Sequence, residues 1–164
     1  MVRILSLLFV FALYQYLGSG HVLASSGGAP KISGIDTQAT SALARDFTDN
    51  AMAEFDSLGS MLSPAVISSR IEEYAMKVAE TLLGSGIGAD AAGKIMKEAS
   101  TWYGQAIAAL YRGDNFDVAI KDYSSKVSAL MAKEQLSFDA QSKIVSLAST
   151  HLERINSIFK GSSQ

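Results

Sequence analysis

The sequence has no cysteine and only two prolines in 164 residues. Without thiols there is no disulfide staple, no thiolate zinc ligand and no thiol nucleophile. There is no basic excess either. Fourteen Lys and Arg against sixteen Asp and Glu leave a formal charge of −2, which is not the balance of a nucleic-acid binder. Thirteen glycines and two prolines are far too few for a collagen-like chain. The asparagines at 50, 115 and 156 are followed by Ala-Met, Phe-Asp and Ser-Ile, so there is no N-glycosylation sequon. What is present is a chain 48% hydrophobic and 18% charged. That is apolar enough to fold, and long enough for one domain with a substantial core.

The first segment reads as a targeting sequence. Arg3 forms a short positive region, and Ile4 to Leu17 is almost entirely apolar and aromatic. A membrane span needs about twenty such residues, so this run is too short. Val22-Leu23-Ala24 offers a signal-peptidase site, which makes residues 1–24 a cleaved signal peptide. An uncleaved signal anchor is the alternative. No second apolar run follows, so the expected product is secreted and free of the membrane. Loss of Arg3 takes the net charge to about −3. Residues 25–35, rich in Ser and Gly with Pro30, read as a flexible leader.

From 36 to 161 the apolar period is helical. A first helix is expected from about Thr37 to Leu58, capped by Asp36 or Thr37, with Leu43, Phe47, Ala51, Phe55 and Leu58 on one stripe. Ser63-Pro64 opens a second, because proline lacks a donor that would be unpaired at that position. Its stripe is Ile67, Ile71, Tyr74, Val78 and Leu82, and Gly84-Ser85-Gly86 stops it. A third runs from near Asp90 to Gly113, with Ile95, Ala99, Trp102, Ala106 and Leu110 widened by Met96, Tyr103 and Ile107. Apolar around much of its circumference, it is expected to sit centrally. A fourth follows Asp114 or Asn115 and carries Phe116, Ile120, Tyr123, Val127, Leu130 and Met131. A fifth starts at Ser137 and carries Ile144, Ala148, Leu152, Ile155 and Phe159. Lys160 complements its dipole, and Gly161 ends it. No stretch alternates with period two. Five amphipathic helices with short connections predict an all-α, antiparallel five-helix bundle.

Candidate chemistry is sparse. His21 falls in the signal peptide, and His151 stands alone, without the Glu-x-x-His pattern of a di-iron bundle. It reads as a partly exposed structural histidine, with pH sensing as its functional alternative. Glu72 and Glu73 diverge by about 100° on a helix and cannot share a substrate. The serine pairs at 68–69 and 124–125 lack a nucleophile elbow and partners. Gly84-Ser-Gly-Ile-Gly88 lacks the strand and Lys-Ser/Thr of a phosphate loop. No enzyme, cofactor or metal is therefore expected. Met52, Met61, Met76, Met96 and Met131 read as core filler, or as the adaptable packing of a core that changes shape. Trp102 reads as core.

Three short motifs occur in order: Leu43-Ala44-x-x-Phe47 followed by Met52; Ile107-Ala108-Ala109-Leu110-x-x-Gly113; and Phe116-x-Val118-x-x-Lys121 with Ser128-Ala129-Leu130 beyond. With the signal, the Ser/Gly leader, five helices and no cysteine, this layout resembles the N-terminal domain of spider silk proteins, the spidroins, over about Thr37 to Phe159. The resemblance implies a structural module. It keeps silk protein soluble in storage and forms an antiparallel homodimer as pH falls, an acidic pole of one subunit meeting a basic pole of the other. Physically, a carboxylate cluster is costly to press against another surface until it is neutralised.

The resemblance places the basic pole at Lys94 and Lys97. The family's acidic positions fall here on Ala106, Tyr111, Ser68-Ser69 and Gln141 or Ser142, and the tryptophan of its first helix is missing. Asp114, Asp117 and Asp139, all near helix starts, are the substitute candidates for the acidic pole or pH sensing. A silk protein would continue into repeats beyond Gln164. A fragment and a stand-alone relative both fit. The competing expectation is a secreted helical-bundle carrier of a small apolar ligand lined by Tyr74, Met96, Trp102 and Tyr103. A cytokine-like bundle is disfavoured by the missing disulfide.

Overall fold

The structure is a computed structural model that describes residues 36–58 and 64–161. The expected signal peptide and leader lie outside the described residues, as do Met61, the Ser63 cap and the Gly59 stop. The described chain is all helical: α1 Thr37–Ser57, α2 Pro64–Gly84, α3 Ala89–Tyr111, α4 Phe116–Lys133 and α5 Phe138–Gly161. There is no strand among the described residues. The five helices form a bundle around one aromatic and aliphatic core.

Each boundary has a local cause. Asp36 caps α1, its Oδ1 accepting from the backbone N–H of Gln38 at 3.0 Å and of Ala39 at 3.2 Å. Asn115 does the same for α4 through Asp117 and Val118 at 2.9 and 3.3 Å. Ser137 caps α5, its Oγ accepting from Ala140 at 3.3 Å. The third helix begins earlier than its sequence suggests. Gly88 is the cap and Asp90 sits inside the first turn, where its charge suits the dipole.

At the ends of α3 and α4 the backbone turns left-handed. Gly113 has φ +85°, Gly113 N–H bonds Leu110 O at 3.0 Å and Asp114 N–H bonds Ala109 O at 3.0 Å. The same bond pattern closes α4, through Gln135 to Ala132 O and Leu136 to Met131 O, although the left-handed residue is Gln135 at φ +59°. Buried Leu136 supplies the apolar contact that accompanies such a cap.

The helix stripes interlock closely. A Cβ added to Gly93 would meet Leu43 at 3.6 Å, and one added to Gly104 would meet the Ala51 carbonyl at 2.5 Å. Phe55 rests on Tyr111 with ring centroids 5.9 Å apart. Early, middle and late residues of α1 therefore meet early, middle and late residues of α3, and the two helices run the same way. Phe159 of α5 stacks on Phe55 at 6.2 Å and meets Tyr111 edge-on at 5.5 Å, which places the end of α5 beside the ends of α1 and α3.

Three buried aliphatic hydroxyls are satisfied within their own helices. Thr48 donates to Ala44 O at 2.8 Å, Thr81 to Lys77 O at 2.7 Å and Ser100 to Lys97 O at 2.7 Å. Met96 and Met131 are core, whereas Met52 and Met76 are half-buried against it.

Four expectations change. Leu58 is 46% exposed, because the stripe of α1 closes at Phe55. Leu43 is only half-buried. Trp102 is also half-buried, since its neighbour Tyr103 takes the inward position on α3. His151 is not partly exposed but fully inside, at 1%.

Candidate functional site

The five charged candidates occupy two regions. Lys94 and Lys97 are exposed on the first half of α3 and form no ion pair among the described residues. Lys97 borders an open groove of about 460 Å³ between α1 and α3, opposite Asp46 and Asp49. Asp114 and Asp117 are exposed at the far end of α3, across the turn into α4. A helix rises about 1.5 Å per residue, so Lys94 and Asp114 stand roughly 25–30 Å apart.

Asp114 pairs with Arg112 at 3.4 Å in an exposed contact. Asp139 lies in the first turn of α5. Because the end of α5 meets the end of α3, Asp139 belongs to the opposite end, the one that carries Lys94. The fold thus brings Asp114 and Asp117 together and separates Asp139 from them. Each end also holds charges of the other sign, such as Asp90 beside Lys94, and Lys160 across a small pocket from Asp114.

Two exposed apolar residues were not among the candidates. Val118 and Phe138 are each 66% exposed, in the first turns of α4 and α5. Each is adjacent in the chain to a candidate acid, Asp117 and Asp139 respectively. Both fall off the apolar stripe of their helix, and that was the one available signal.

The interior is aromatic. Tyr74 and Tyr103 stack nearly parallel, 4.5 Å apart at 9°. Phe47 packs on both at 5.7 Å, and Tyr123 meets Tyr103 edge-on at 5.3 Å. The Tyr74 and Tyr123 hydroxyls are 2.9 Å apart and share a hydrogen bond. Tyr103 Oη and His151 Nδ1 have no partner among the described residues. Burial pushes the phenols of Tyr74, Tyr103 and Tyr123 upward. The two stacked rings fill the volume where an apolar ligand would have been lined by Tyr74 and Tyr103. Met96 borders the surface groove instead.

Glu72 and Glu73 part company as expected. Glu72 is exposed, while Glu73 collects Arg70 at 3.2 Å, Lys77 at 3.3 Å and Arg154 at 3.4 Å. The hydrogen bond from Lys77 is the main reason its carboxyl sits below the usual range. Partial burial opposes this, and His151 and Arg70 reinforce it. Among the described residues no three His, Asp or Glu side chains are grouped to hold a metal ion, and no helix is long and apolar enough to cross a membrane.

Comparison with protein-family models, with curated proteins and with solved structures finds no match to this chain.

Proposed function

We propose that the chain is a secreted, non-enzymatic assembly module: an antiparallel five-helix bundle, released from a signal peptide, that stays soluble in storage and pairs with a second copy as pH falls. The silk-assembly role follows from the resemblance to the spidroin N-terminal domain. The pairing has its own physical support. One observation carries it: among the described residues, the two most exposed large apolar side chains stand at opposite ends of the bundle, each beside a candidate acid.

In a two-fold antiparallel pair, the end bearing Lys94, Phe138 and Asp139 meets the partner's end bearing Asp114, Asp117 and Val118. Each contact is then made twice. Lys94 and Lys97 attract Asp114 and Asp117 and set the orientation of encounter. Phe138 and Val118 supply apolar area. Asp139 opposes Asp114 and Asp117 as a like charge, so association is held back until acid neutralises one side. Both charge effects are exposed and screened by salt.

The carrier alternative needs interior space that the Tyr74 and Tyr103 rings occupy. Sedimentation velocity at about pH 7 and about pH 6 tests the proposal. A dimer fraction that grows with acid is expected. A monomer at both pH values and high concentration overturns it.

A further inference from the structure

The interior aromatic column is closed on one side by a histidine. His151 is the residue of α5 that reaches Tyr74, with ring centroids 5.7 Å apart at 49°. Tyr74 lies on α2 and is held by Phe47 of α1, Tyr103 of α3 and Tyr123 of α4. One imidazole therefore joins α5 to a cluster that takes a ring from every other helix. Its exposure is 1%, and Nδ1 finds no acceptor or donor among the described residues. We propose that His151 is an acid-operated latch: neutral, it seats α5 against α2; protonated, it releases α5 from the aromatic column.

The surroundings explain why charge is not tolerated there. The charged groups around the imidazole are Glu73, Lys77 and Arg70 on α2 and Arg154 on α5. Three are cations. The single carboxylate is already shared, Oε1 between Lys77 and Arg154 and Oε2 with Arg70. The three phenols of the column are held neutral by burial. An imidazolium makes both ring nitrogens donors, and Nδ1 has nothing among the described residues to receive its proton. The tilted Tyr74 ring offers a weak cation–π contact, less than the hydration lost. Burial lowers the affinity of His151 for a proton. Glu73 opposes this, and Lys77, Arg154 and Arg70 reinforce it.

The sign follows by linkage. The folded state binds this proton less readily than the opened one, so acid favours opening. The stability contributed by His151 is full above the ordinary histidine range, and is lost as pH falls through that range toward the lowered folded value. The device acts within one chain. It stands whether or not two copies associate.

The test is amide hydrogen exchange of the full chain at about pH 7 and about pH 5, on either side of the ordinary histidine range. Rates are corrected for intrinsic exchange, and the protein is kept dilute with its mass monitored by sedimentation. Protection of α5 is expected to fall about tenfold relative to α1 on acidification, the scale set by one unsatisfied buried group. His151→Phe fills the same space without titrating and is expected to keep α5 protected. Equal loss in this variant, or no loss in the parent chain, overturns the latch.

If His151→Phe does not fold, proton NMR of the parent chain decides. The imidazole resonance absent from His151→Gln should titrate below the ordinary histidine value, and titration at or above it refutes the proposal. Repeating the exchange in Asp114→Asn/Asp117→Asn separates the two ideas. The latch persists there even if acid-driven pairing is lost.

Discussion

Replacing Gly104 by alanine probes the closest approach in the bundle. A Cβ at Gly104 would sit 2.5 Å from the Ala51 carbonyl oxygen and 2.8 Å from Glu54 Cβ. Neither is the tip of a flexible chain. The oxygen is engaged in the backbone of α1, so α1 and α3 must separate over the stretch where Ala51 and Ala108 are buried. Overpacking of this kind costs about 1–3 kcal/mol. Alanine in place of a mid-helix glycine returns about 1 kcal/mol of backbone propensity. The balance is a net loss of up to about 2 kcal/mol.

Gly93 is the matched control on the same helix. Its nearest neighbour is Leu43 Cδ2 at 3.6 Å, an ordinary contact. Gly93→Ala should keep the propensity gain and stabilise by about 0.5–1 kcal/mol. Urea unfolding followed by circular dichroism reads both, with the midpoint moving in opposite directions for the two variants at unchanged slope. Stabilisation by Gly104→Ala equal to that of Gly93→Ala would refute the α1–α3 packing described above.

Four further outcomes follow from the interior and the caps. Tyr103→Phe removes a hydroxyl that has no partner among the described residues, and should leave thermal stability unchanged or raised. Tyr74→Phe strands the Tyr123 hydroxyl and should cost about 1–3 kcal/mol, much of it recovered in the double Phe variant. Asn115→Ala loses the two N-terminal bonds of α4 and should cost about 1 kcal/mol in urea unfolding. Gln135→Gly relieves a left-handed residue at the close of α4 and should raise the unfolding free energy by about 1 kcal/mol, with the bonds to Ala132 and Met131 kept.

The helices were legible because their punctuation is local. Pro64, Gly84-Ser-Gly, Asn115 and Ser137 each act on backbone within a few residues of themselves, and the observed bounds fall within a few residues of those signals. Inward positions on α2 and α5 were legible from spacing alone. His151 lies seven residues after Ile144 and four before Ile155, so spacing already placed it on the buried stripe. Its polar ring argued for the surface, and packing overrode that preference. Buried Thr48, Thr81 and Ser100 were hidden for the same reason, since each satisfies its hydroxyl within its own helix.

What spacing cannot carry is which stripes meet. The stacking of Tyr74 on Tyr103 and the crossing at Gly104 depend on contacts between separate helices. The candidate poles have the same limit. Lys94, Asp114 and Asp139 were readable as residues, but the end of the bundle each one occupies follows from the direction of α5.

Antiparallel pairing is tested most directly by charge exchange. Two variants are made, Lys94→Asp/Lys97→Asp and Asp114→Lys/Asp117→Lys, and each is sedimented alone and as an equimolar mixture at low salt. Each variant alone presents like charges at both contacts, and is predicted to remain monomeric under conditions where the parent chain dimerises. In the mixture a heteropair sets the acidic ends of one variant against the lysine ends of the other at both contacts, so mixing is predicted to restore dimerisation. The quadruple variant reverses both poles, restores attraction at both contacts, and is predicted to dimerise like the parent chain. Equal dimerisation of all three variants and the parent chain, or a quadruple variant that stays monomeric while folded, would contradict the account.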